Sequence, residues 1–111
     1  MSRDWRLFWH DIIGFCDKVE RYVGGRDRAT VEADEVLYDA ILRNLELIGE
    51  SARMLPPHAR VLTPQVPWLQ IARTRNVLAH AYFGVNKDII WDIVSKELPS
   101  LRAAMIAVGS V

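Results

Sequence analysis

Apolar residues recur at three- and four-residue steps along almost the whole chain, and that period admits helices and argues against a sheet. In the first stretch Trp5, Phe8, Trp9, Ile12, Phe15, Cys16, Val19, Tyr22 and Val23 form one stripe. This predicts an amphipathic helix with Ser2 as its N-cap and Gly24-Gly25 as its stop. A polar connection, residues 26–30, leads to a second stripe at Leu37, Ala40, Ile41, Asn44, Leu45, Ile48, Ala52 and Leu55. The second helix is expected over about residues 31–55, with Thr30 as cap, a break near Asp34, and Pro56-Pro57 at its end. Residues 56–67 hold four of the five prolines and read as a loop with one helical turn at 58–62. Pro67 suits the first turn of a third helix, residues 67 to about 82, which Gly84 stops. Asn86 reads as the N-cap of a fourth, with Ile89, Ile90, Ile93, Val94 and Leu98 on its apolar face. Pro99 kinks or restarts that helix, which runs on to about Val108. No segment alternates with period two between hairpin turns. The expected fold class is therefore all-α, an antiparallel up-and-down bundle of four to five helices.

With 111 residues and half of them hydrophobic, the chain suits a single domain over residues 1–111 with a core that needs no disulfide. Fourteen basic side chains balance fourteen acidic ones. That balance excludes the bulk electrostatic footprint of a general nucleic-acid binder but leaves room for a local basic pocket. Cys16 is the single cysteine, which excludes an intrachain disulfide and a cysteine-based zinc site. On its apolar stripe it reads as a small buried hydrophobe. The N-terminal stretch carries charges through its apolar residues and lacks a signal-peptide core. No run approaches the roughly 18 apolar residues of a membrane span. A cytoplasmic location with no membrane partner is the expectation.

The third helix carries the chemistry. At about 100° per residue, Arg75 and Tyr82 fall in the core-facing sector with Trp68, Ile71, Ala72, Leu78 and Ala79. Arg73, Asn76 and His80 share the neighbouring sector with Leu69 and Phe83. Two arginines, an amide, an imidazole and a phenol within residues 73–82 are unusual for a plain core helix. Such a set suits anion handling with proton transfer. Arginine grips phosphate through its fork and stabilises developing negative charge, while histidine titrates near neutrality. No metal is expected, because His10, His58 and His80 lie on separate segments without ligand spacing. On spacing alone the plainer reading, an arginine and a histidine capping carbonyls or pairing with an acid, is the better one. Glu50 reads as a structural partner for Arg75 or Arg73, and Glu46 as part of a solvated face. Trp68 and Trp91 read as packing residues, His10 and His58 as surface or capping residues.

Arg75-Asn76, three further residues, and His80-Ala81-Tyr82 match an R-x4-H-x-Y pattern with a polar residue after the arginine. Together with residues 43–53 (RNLELIGESAR), 66–85 and 89–101 (IIWDIVSKELPSL), this resembles the HepT-like branch of the HEPN superfamily. Those proteins are the toxin halves of bacterial and archaeal toxin–antitoxin pairs. The N-terminal stretch HDIIGFCDKVERYVGG matches in pattern, and Ser51 departs from an expected alanine.

The resemblance implies an all-α bundle that dimerises and sets two motifs around a shared cleft. It implies a metal-independent endoribonuclease without a cofactor, acting on RNA rather than DNA. Arg75 and His80 would act at the scissile phosphodiester, with Asn76 positioning and Arg73 and Glu50 in support. Tyr82 would be the acceptor of AMP from a minimal nucleotidyltransferase antitoxin. The alternative is a non-catalytic nucleotide-binding or scaffold partner of that nucleotidyltransferase. A purely structural bundle is disfavoured by the polar cluster on the third helix.

Overall fold

The computed structural model describes residues 3–80 and 86–111, except for the side chains of residues 75–77, 79 and 80. The first stripe forms α1, Trp5–Val23, with Trp9, Ile12, Cys16 and Val19 buried. Its cap is Asp4, whose carboxylate accepts from the Arg6 N–H at 2.9 Å. Ser2 is thus not the cap. Both residue types cap well, and the one directly before the first helical residue prevails. Gly24 ends α1 in the left-handed region at φ 54°, its N–H reaching the Glu20 carbonyl. A Cβ at Gly24 would lie 3.0 Å from the Arg21 carbonyl oxygen, so this stop depends on glycine.

The expected second helix is two. Asp27, not Thr30, caps α2, Arg28–Ala33, and accepts from the Thr30 N–H. Its bonds to Thr30 lower the Asp27 pKa from the ordinary carboxylate value. Asp34 then closes α2 and caps α3, Glu35–Arg53, through the Leu37 N–H, so the break falls at the expected residue. Helix α3 ends at Arg53, before the prolines, and Pro57 opens the single turn α4, Pro57–Arg60. Helix α5, Trp68–His80, follows the proline-rich loop. Its expected last residues and the Gly84 stop lie outside the described residues.

Asn86 caps α6, Lys87–Asp92, as expected, its side chain accepting from the Asp88 N–H. A π-helical turn, Ile93–Glu97, joins α6 to α7, Leu98–Val108. The Leu98 N–H reaches back five residues to the Ile93 carbonyl. Pro99 has no N–H to offer Ser95, and the wider turn absorbs that mismatch rather than breaking the helix.

The described residues are helical or irregular, with no strand among them. Helix α3 packs against both α1 and α5, and α7 packs against α1. This is the expected all-α architecture. The core joins Trp9, Ile12 and Val19 of α1, Ile41, Leu45 and Ile48 of α3, and Trp68 and Leu78 of α5. Ile90, Leu101 and Met105 close it from α6 and α7. Arg28 reaches Glu32 and Asp88, and Lys87 lies 5.5 Å over the Tyr38 ring. Each such surface contact is weak. Jointly they tie the start of α6 to α2 and α3. No described helix is long and apolar enough to cross a membrane.

Candidate functional site

Helix α5 is held by its first residue. Trp68 is buried, its ring centroid 6.1 Å from that of Trp9, and its indole N–H donates to Thr63 Oγ1 at 3.0 Å. Trp9 meets Trp5 edge to face, and Trp5 meets His58 the same way. The aromatic run therefore ties the start of α5 to α1 and α4. Further along, Ile71 packs against the core and Leu78 is buried. The core-facing sector read from the helical period is the buried one at Trp68 and Leu78, and Trp68 is a packing residue as expected.

The motif positions 75, 76 and 80 all lie on α5. The side chains of Arg75, Asn76 and His80 are outside the described set, and so is Tyr82 altogether. Arg73 is described and exposed, in the sector adjoining the core side. Glu50, on α3, accepts from Arg53 Nη2 at 3.2 Å. Its expected pairing with Arg75 involves a side chain outside the description. Glu46 pairs with Arg43 at 3.3 Å on the α3 surface, in keeping with a solvated face. Ser51 is buried, so the position that departs from the family pattern needs a small side chain, which serine is. His10 is exposed and donates through Nε2 to the Val111 carbonyl at 2.8 Å. Among the described residues no group of three or more His, Cys, Asp or Glu side chains could hold a metal ion.

Two depressions flank this framework. An apolar cavity of about 370 Å³ lies between α1 and the α6–α7 arm, lined by Cys16, Val19, Trp91, Val94 and Leu98 among others, with none of its described lining from α5. Its Cys16 is buried as expected, and that burial pushes the thiol pKa up to about 12. The Asp17 carboxylate adds to the shift and Arg102 opposes it. The folded state thus prefers the protonated thiol. That contribution to stability is complete below the unfolded thiol pKa near 8.5 and fades as pH rises towards 12. Iodoacetamide at pH 8 is expected to label Cys16 at least ~100-fold more slowly in buffer than in urea, because the thiolate is the nucleophile. Equal rates would contradict this placement.

The second depression is an open groove of about 660 Å³ between α4 and the start of α5. Arg60 and Arg73 line it with Pro57, Val61, Pro67 and Leu69, and no carboxylate is among its lining residues. Arg60 Nη2 donates to the Ala52 carbonyl at 3.4 Å, while its Nε is buried without an acceptor. Arg60 lies on α4, off the helix whose spacing carries the motif. The signal that finds it is the absence of any Asp or Glu from residues 51–87.

The family model for "Ribonuclease HepT-like" proteins matches residues 12–108. A protein of Caldanaerobacter subterraneus subsp. tengcongensis named "Putative RNase" is 40% identical over 97 residues, 87% of this chain and 87% of its own length. The "Probable ribonuclease HepT" of Thermococcus cleftensis is 32% identical over 102 residues, 92% of this chain and 93% of its own. A Methanocaldococcus jannaschii protein, whose name joins a gamma-glutamylcyclotransferase to a putative RNase, is 28% identical over 108 residues; the chain spans 49% of its length. No solved structure matches.

Proposed function

The chain belongs to the HepT-like ribonuclease family, and on that premise we propose that it is a metal-independent endoribonuclease whose working residues are Arg75, Asn76 and His80. The observation that carries this reading is that the R-x4-H-x-Y motif lies inside the family match, with its arginine and histidine on α5, a helix anchored at Trp68. In the proposed reaction the 2′-hydroxyl of the RNA attacks the adjacent phosphorus. The bond to the 5′-oxygen of the next nucleotide breaks, leaving a 2′,3′-cyclic phosphate. Arg75 stabilises the charge that builds on the phosphorane oxygens. His80 moves the proton or steadies the leaving oxygen, and Asn76 positions the phosphate.

The active unit is proposed as a two-fold homodimer. Positions 75 and 80 stand about 140° apart on an ideal helix, so a symmetric copy supplies the missing side of the cleft. The protein acts in this reading as the toxin of a pair, restrained by a nucleotidyltransferase antitoxin. The Tyr82 phenol oxygen attacks the α-phosphorus of ATP, pyrophosphate leaves, and the phenolic proton passes to a base. The bulky anion left on Tyr82 blocks the cleft and meets its arginines.

The test is incubation of the purified chain with its cognate nucleotidyltransferase, ATP and magnesium, followed by peptide fragmentation. AMP is expected on Tyr82, absent from a Tyr82→Phe variant, and the modified protein should no longer cut RNA. AMP on Tyr22 or Tyr38, or none, would mean that restraint works by steric binding instead.

A further inference from the structure

Charge is segregated along this neutral chain. Residues 51–87 contain Arg53, Arg60, Arg73, Arg75 and Lys87 and no carboxylate, so every Asp and Glu lies outside the stretch that carries the motif. The groove between α4 and α5 is cut into that stretch. Among the described residues neither Arg60 nor Arg73 has a carboxylate partner. Arg60 is half-buried, and its one described acceptor is the Ala52 carbonyl, so its guanidinium carries an uncompensated charge at the groove. The same groove is lined by exposed apolar surface, with Val61 68% and Leu69 62% exposed.

We propose that this groove is a track for the single-stranded RNA that flanks the cleaved bond, an inference resting on the ribonuclease reading. The two guanidiniums take successive phosphates, and the unstacked bases lie on Val61, Leu69 and the prolines. A duplex would present only phosphate and leave that apolar floor unused, so the surface fits a single strand. The track leads to the motif. Position 73 lies two helical turns before position 80 on the same stripe of α5, about 10 Å along the axis. Trp68 anchors the helix that carries Arg73, on the groove's α5 side, together with positions 75, 76 and 80.

The experiment measures binding of a labelled single-stranded RNA dodecamer to the His80→Ala protein over a range of salt concentrations. Arg60→Gln and Arg73→Gln are each expected to weaken binding about 5- to 10-fold. Each should also reduce the slope of log Kd against log salt by about 0.7, the share of one phosphate contact on a single strand. Arg43→Gln, which removes a cation paired with Glu46 on α3, should change neither. Arg73 is exposed, so its variant keeps the test valid if Arg60→Gln fails to fold. Slopes and affinities equal to the parent's would overturn the track while leaving the ribonuclease reading intact. Sedimentation showing that these variants dissociate a dimer would also overturn it, because the groove would then be covered by a second copy. A wild-type chain that neither binds nor cuts RNA would overturn the ribonuclease reading and the track with it.

Discussion

His80→Ala and Arg75→Ala are each expected to lower RNA cleavage by on the order of 10²- to 10⁴-fold, the usual weight of a proton-transfer group or of a charge stabiliser in the transition state. Both should also abolish growth arrest on expression. Neither should unfold the protein, because the described core closes through Trp68 and Leu78 on this helix and through α1, α3 and α7. Circular dichroism and thermal melting of each variant separate loss of chemistry from loss of fold. A folded His80→Ala protein that cuts RNA at the wild-type rate would remove histidine from the mechanism. A folded Arg75→Ala protein at the wild-type rate would remove the arginine.

The largest effect on stability is expected from Trp9→Ala. Trp9 is 1% exposed and sits between Trp5 and Trp68, where it both fills the core and holds the start of α5. Truncating a buried tryptophan costs about 3–5 kcal/mol, against a total stability of about 5–15 kcal/mol for a typical domain. At roughly 4–8 °C per kcal/mol for a chain of this size, the melting temperature should fall by more than about 12 °C. Trp9→Phe should lose markedly less, since a ring still meets Trp68. A shift of only a few degrees in Trp9→Ala would mean that the Trp9–Trp68 contact does not hold the start of α5.

The long helices α1 and α3 were legible in the sequence because each has one apolar stripe whose burial forms it, whereas the short α2, with Val31 as its one buried residue, was read partly as a polar connection. Asp34 and Asn86 could be placed as helix boundaries because each is a capping residue set directly against a periodic run. Ser2 and Thr30 misled for a physical reason. Several residues that cap well stand near each helix start, and only the backbone path decides which one precedes the first turn. The π-helical turn before Pro99 was not readable, since a proline inside an apolar stripe fits a kink, a restart or a widened turn equally well.

Positions 75, 76 and 80 share α5, where sequence spacing converts directly into angle. Arg60 could not be found that way. It stands thirteen residues before Arg73 in the chain, across a proline-rich loop whose path no periodicity fixes. Its role is visible only when α4 and α5 are seen to share a groove and the surrounding sequence is seen to lack acids.

If this chain's own side chains cleave RNA, the chemistry is recorded in the ends of the product. Wild-type protein should cut single-stranded RNA in the presence of excess EDTA, leaving 2′,3′-cyclic phosphate and 5′-hydroxyl ends, and the folded His80→Ala protein should leave the same RNA intact. Cleavage that stops in EDTA, or that yields 5′-phosphate ends, would rule out metal-free attack by the 2′-hydroxyl.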